Sequence, residues 1–94
     1  MSNVEELIDK ARISFLEGDI ASTVQSVSSA LLLDKTNYEL WYNLGQILYL
    51  SKAYEVSLFC MRKSLSLNKE YDLAKTAIEV LEIKIASIQR LYCT

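Results

Sequence analysis

Apolar side chains recur along the chain at helical intervals. Val4, Leu7, Ile8 and Ala11 stand at three- and four-residue steps, as do Val24, Val27, Ala30 and Leu31. Such steps lay apolar residues along one side of a helix with 3.6 residues per turn. Polar clusters interrupt the pattern at Glu17-Gly18-Asp19, Asp34-Lys35-Thr36-Asn37 and Ser51-Lys52-Ala53. The spacing therefore predicts five helices: Val4 to about Leu16, Ile20 to Leu33, Tyr38 to Leu50, Tyr54 to Leu67 and Tyr71 to Tyr92. In the last, Ala74, Ala77, Ile78, Leu81, Ile85 and Ile88 form one apolar stripe, and its length would be about 33 Å.

The joints carry their own chemistry. Ser2-x-x-Glu5 and Thr36-x-x-Glu39 read as capping boxes, each satisfying two backbone N–H groups at a helix start. Gly18 can adopt the left-handed conformation that ends a helix, and Asp19 can cap the next one. Ser51-Lys52-Ala53 lacks both devices. Each loss weakens that turn by about 1 kcal/mol, which predicts a softer joint.

Sliding the sequence against itself by 34 residues brings these features into step without a gap. Leu7 meets Trp41, Ala11 meets Gly45, Phe15-Leu16 meets Tyr49-Leu50, and Val27 meets Met61. Ala30-Leu31 meets Ser64-Leu65, and Asp34-Lys35 meets Asn68-Lys69. The register implies duplication of a two-helix unit. Small residues at Ala11, Ala30, Gly45 and Ser64 let paired helices approach closely. At the same offset Lys75 and Glu79 replace Trp41 and Gly45. A further helix packed there would bury a carboxylate, so the last helix should cap the array.

Composition narrows the chemistry. The 94 residues suit one domain, and the 51% apolar content with no proline suits packed helices. A compact chain of this size would expose about 5,500 Å². There is no histidine, which removes His-based acid–base catalysis, paired nucleophiles and most zinc sites. Neighbouring carboxylates at Glu5-Glu6 and Glu79/Glu82 fit capping and solvated helix faces. With only Gly18 and Gly45, no glycine-rich phosphate loop is available. Catalysis, a metal and a cofactor are accordingly not expected. The net charge of −2, with its ten cations scattered, offers no basic stripe for nucleic acid. No apolar run is long enough to span a membrane. Met1-Ser2-Asn3-Val4-Glu5-Glu6 lacks the features of a signal peptide. That favours the cytoplasm, with Cys60 and Cys93 as free thiols.

Trp41-Tyr42-Asn43-Leu44-Gly45, followed by Leu48, Tyr49 and Tyr54, resembles the tetratricopeptide repeat. Trp41, Leu44 and Gly45 match the family's pattern, while Leu48 stands for its tyrosine, Met61 for an aromatic and Lys69 for its proline. The earlier unit is more degenerate, with Leu7, Lys10, Ala11 and Ser14 at the four leading positions. The resemblance implies an all-α solenoid in a right-handed superhelical array. Repeat 1 covers about residues 4–37, repeat 2 about 38–71, and a capping helix about 72–92.

In that family the first helix of each repeat lines a concave groove for a peptide or helix. The groove here would take Glu5, Ile8, Arg12 and Phe15 from the first unit, and Glu39, Tyr42, Asn43, Gln46 and Tyr49 from the second. Leu73, Thr76, Val80 and Ile83 would complete it. Ile8, Phe15, Tyr42 and Tyr49 would anchor an apolar ligand, with Arg12, Asn43 and Gln46 orienting it. The implied function is protein–protein interaction, in an adaptor, scaffold or co-chaperone-like role. The family's carboxylate clamp for acidic chaperone tails is largely missing, because Ile8, Arg12, Asn43, Leu73 and Ala77 occupy its positions and only Asn43 matches. An alternative is self-assembly: Leu73, Val80, Ile83 and Leu91 form a second stripe on the last helix, suited to a ligand or to another copy in a homodimer.

Overall fold

The computed structural model describes residues 3–92, which form five helices. They are α1 (Val4–Leu16), α2 (Ile20–Leu33), α3 (Tyr38–Leu50), α4 (Tyr54–Leu67) and α5 (Asp72–Tyr92). Each packs against the next in chain order, so two hairpins stack and α5 closes the series. The fold is an all-α solenoid. Its core holds Leu7 and Ala11 of α1, Val27, Ala30 and Leu31 of α2, Leu40, Leu44 and Ile47 of α3, and Cys60 of α4. Met61, Ala74 and Leu81 carry the buried surface on to α5.

Two helix starts differ from the sequence expectation in the same way. Ser2 lies outside the described residues, and the cap of α1 is Asn3, whose side chain accepts from the Glu6 N–H at 2.9 Å. At α3 the cap is Asn37, not Thr36, and it accepts from the N–H groups of Glu39 and Leu40. Asn37 is itself held by donating to Asp34 at 3.2 Å. Helix α5 begins at Asp72. Asp19 caps α2 as read from the sequence, accepting from the Ser22 N–H.

The two inner turns share one backbone shape. Gly18 has φ of +79° and Lys52 has φ of +66°. In both turns the left-handed residue bonds back three residues, to Phe15 or Tyr49, and the following residue bonds back five, to Ser14 or Leu48. This is the double hydrogen bond that satisfies the last carbonyls of a helix. A lysine is a costly occupant of that conformation. Ala53, at the start of α4, has no side chain with which to cap it. The second turn therefore keeps the geometry without the residues that favour it.

The interface between α3 and α4 leaves little room at Gly45. A Cβ on Gly45 would come within 2.9 Å of the Met61 Cε atom. Around that contact the Ser57 hydroxyl donates to the Gly45 carbonyl, and the Ser64 hydroxyl donates to the Tyr38 carbonyl at 2.7 Å. The residues read from sequence only as small thus also bolt one helix to the other. In repeat 1 the corresponding Thr23 turns back on its own helix, donating to the Asp19 carbonyl, and Ala30 has nothing to donate. Between the repeats, Trp41 donates its indole N–H to the Lys35 carbonyl at 3.0 Å.

The molecule measures 52 × 31 × 17 Å with a radius of gyration of 14.0 Å, against roughly 12 Å for a compact chain of this length. Its accessible surface of 6409 Å² exceeds the expected area for the same reason. A flat stack leaves both ends and one concave face open to water.

Candidate functional site: the concave groove

That concave face holds a groove of about 660 Å³ bounded by α1, α3 and α5. Its floor is core: Ala11, Val27, Leu40, Ile47, Met61 and Leu81. Glu5 and Glu39, also expected there, do not line it, whereas Ile8, Arg12 and Phe15 of α1 and Tyr42, Asn43, Gln46 and Tyr49 of α3 meet in one place. They do so because the helices lie side by side with these positions turned away from the α3–α4 contact. Of the α5 stripe, only Val80 lines the groove, joined by Ala77. Leu73, Ile83 and Leu91 lie outside it, 56%, 67% and 77% exposed.

The four do not line the groove together, for a geometric reason. Ile83 is three residues past Val80 and is rotated from it by about 60°, while Leu73 and Leu91 lie about 10 Å below and 16 Å above it. Those offsets carry them off the ends and side of a groove only as long as α3.

Polar groups in the groove are partly engaged. Gln46 donates its side-chain N–H to the Tyr42 hydroxyl at 2.8 Å, which leaves Tyr42 its own proton to donate. Arg12 reaches Asp9 at 3.3 Å, one turn back, and both are solvent-exposed. Such a pair is easily exchanged for a ligand group.

Aromatic clusters stand at the two ends of α3. At its start Tyr71 meets Tyr38 edge-on at 4.8 Å and Tyr42 at 5.4 Å. Burial raises the Tyr71 phenol above its ordinary value, and the charge of Glu39 adds to the effect. At its end Tyr49 meets Tyr54 at 5.4 Å, and Lys84 of α5 lies 5.6 Å from the Tyr54 ring centre. Sequence reasoning passed over Tyr38, Tyr71 and Tyr54 as site neighbours. Their one signal was the crowding of tyrosines near both ends of α3.

Elsewhere the chemistry is quiet. Cys60 is buried, and burial pushes its thiol from 9.0 up to about 11. Cys93 falls outside the described residues. Among the described residues no three His, Cys, Asp or Glu side chains gather in a group able to hold a metal ion, and no helix is long and apolar enough to cross a membrane.

No family model matches the chain. A TPR repeat-containing protein of Methanocaldococcus jannaschii, however, is 40% identical over 65 residues, which cover 66% of this chain. That likeness joins a 34-residue register and two stacked hairpins. The chain is a tetratricopeptide-repeat-like solenoid, similar to that relative over this stretch. It spans about 20% of the length of that relative.

Tetratricopeptide geometry also explains the pattern of match and mismatch. Gly45 is kept where Met61 presses closest, and Trp41 is kept where it spans the joint between repeats. Repeat 1 has lost both, and its Leu7 and Ala11 pack in the core without an equivalent hydrogen bond. The carboxylate-clamp positions are distributed along the same tetratricopeptide groove: Ile8, Arg12, Asn43 and Ala77 line it and Leu73 does not. Two of those four groove-lining positions are aliphatic, so the surface at hand favours apolar contact.

Proposed function

We propose that this chain is a protein-interaction module whose concave groove receives an apolar stretch of a partner, as a short amphipathic helix or an extended peptide. The observation that carries this reading is the company of Phe15, Tyr42, Tyr49 and Val80 around one open volume with Arg12, Asn43 and Gln46. Ligand sites commonly join apolar walls to a few polar groups that set orientation. Aromatic anchors supply large contact area at low cost in side-chain entropy. Ile8, Phe15, Tyr42 and Tyr49 are the anchors in this reading, and the three polar residues fix the ligand's direction.

The test is a peptide library, displayed with both helical and extended members, panned against the full chain. Selected peptides are then titrated by calorimetry. Tyr42→Ala with Tyr49→Ala should weaken binding by about tenfold or more, with unchanged helicity by circular dichroism. Selected peptides that bind this double variant as tightly as wild type would place the interaction elsewhere and defeat the reading.

A further inference from the structure

The groove is built in three levels. Helices α1, α3 and α5 begin 34 residues apart, at Val4, Tyr38 and Asp72, so residues at that offset stand side by side across the concave face. Toward the helix starts Ile8 stands beside Tyr42, and toward the ends Phe15 stands beside Tyr49. Between these apolar levels Arg12 stands beside Gln46. Among the described residues Arg12 is the only charged side chain in the lining, and no carboxylate joins it there. Its neighbours also offer protons. Gln46 gives one amide N–H to the Tyr42 hydroxyl and keeps the other, and Tyr42 keeps its own proton. Donors therefore converge at the middle level, with apolar walls on either side.

We infer that the groove takes an amphipathic helix carrying one carboxylate between two large apolar side chains, with the acid on Arg12 and the apolar pair on the Ile8–Tyr42 and Phe15–Tyr49 levels. The inference rests on the groove reading above and names the chemistry of its partner. Spacing selects a helix. Ile8 and Phe15 are seven residues apart on α1, about 10.5 Å along its axis, with Arg12 four residues from one and three from the other. A ligand helix lying along α3 matches those levels with apolar residues at i and i+7 and an acid at i+3 or i+4, according to its direction. An extended chain sets same-side residues about 6.7 or 13 Å apart, and neither step matches the two apolar levels. Charge selects the acid. Arg12 pairs with the exposed Asp9 at 3.3 Å, a contact of small worth in water. A ligand carboxylate can accept two parallel bonds from the guanidinium between partly apolar walls, where such bonds are stronger. A run of acids would leave all but one without a cation, and a lysine in the central place would face Arg12 directly. Lys10, the other cation of α1, lines a separate cleft against α2.

The test is a displayed library on an alanine-rich helical scaffold, randomised over about three turns, with a proline-broken library of equal composition as its extended arm. Peptides selected on the full chain should come from the helical arm. They should carry Asp or Glu with large apolar residues three positions to one side and four to the other. In calorimetry, changing that acid to its amide should weaken binding about tenfold, and Arg12→Gln should do the same, with no further loss when the two are combined. Arg12→Glu should prefer the peptide whose central acid is replaced by lysine. Lys10→Gln should leave affinity unchanged. Arg12 is exposed, so circular dichroism should stay helical in each variant. Three results overturn the inference while the groove reading stands, provided binding still needs Tyr42 and Tyr49: winners from the extended arm, winners without a central acid, or equal affinity for wild type and Arg12→Gln. A loss in Lys10→Gln equal to that in Arg12→Gln would assign the effect to overall charge and overturn it as well. Binding that ignores Tyr42 and Tyr49, or a selection that yields no peptide, overturns both.

Discussion

Lys52 and Ala53 hold positions that Gly18 and Asp19 fill in the first hairpin, and the backbone there is nearly the same. The cap residue of α2 has φ −88° and ψ 83°, and that of α4 has φ −86° and ψ 69°. Aspartate at position 53 would thus meet the N–H groups at the start of α4 without rearrangement. Ala53→Asp should raise stability by about 1 kcal/mol, and Lys52→Gly by a similar amount. Urea midpoints measured at constant m-value check both, and a neutral result for each would mean that the turn contributes nothing to the cooperative unit. Cys60 and Tyr71 make a second residue-scale prediction. Both hold their protons more tightly in the folded chain than in the unfolded one. Their stabilising effect is complete below about pH 9 and is lost as pH rises through the folded values. Urea midpoints should therefore decline on the alkaline side, less steeply in Cys60→Ala, and the Cys60 thiol should resist alkylation until the chain unfolds. Asp19 acts in the opposite direction, because its bonds from Ser22 lower its value. Its contribution is lost as pH falls below the ordinary carboxylate range.

At the scale of elements, the α3–α4 contact is the place where size matters most. Gly45→Leu should cost about 1–3 kcal/mol, because so large a side chain must displace the whole buried Met61 side chain and not only its end. Gly45→Ala presses most closely on the flexible end of that side chain, and the helix gains nearly 1 kcal/mol from losing glycine. Its melting temperature should change little. Equal losses for alanine and leucine would show a rigid clash in place of a yielding one. Ser64→Ala removes the bond to the Tyr38 carbonyl and should cost about 1 kcal/mol. The helices themselves were legible in sequence because burial imposes a 3.6-residue period on each. Their caps slipped by one residue because serine, threonine and asparagine cap almost equally well. Trp41's grip on Lys35 and Asp34's on Asn37 shape the joint before α3, and neither is visible in a spacing. The groove was legible on α1 and α3, whose equivalent positions repeat. On α5 it was not, since the turn of that helix about its axis is set by packing on α4, including the Arg62–Glu82 pair at 3.3 Å.

Across the whole molecule, the flat stack leaves apolar side chains open on its concave side, Phe15, Leu50 and Val80 among them. That surface favours ligands that shed water easily. Peptides ending in acidic chaperone-tail sequences should accordingly bind more weakly than about 1 mM by calorimetry, because Ile8, Leu73 and Ala77 hold the positions of the clamp's cations. Micromolar binding would overturn the assignment of clamp positions. Stability in a stack this thin belongs to neighbouring pairs more than to a shared centre. Here the hydrogen bond from Trp41 to Lys35 acquires a use beyond structure. Trp41 is the chain's one tryptophan, and it sits at the joint between the hairpins, so the protein carries an intrinsic optical gauge of whether its halves are docked. Fluorescence that shifts ahead of the helical signal during urea titration would reveal hairpins parting while still folded. Coincident curves would show that two repeats and a closing helix behave as one melting unit.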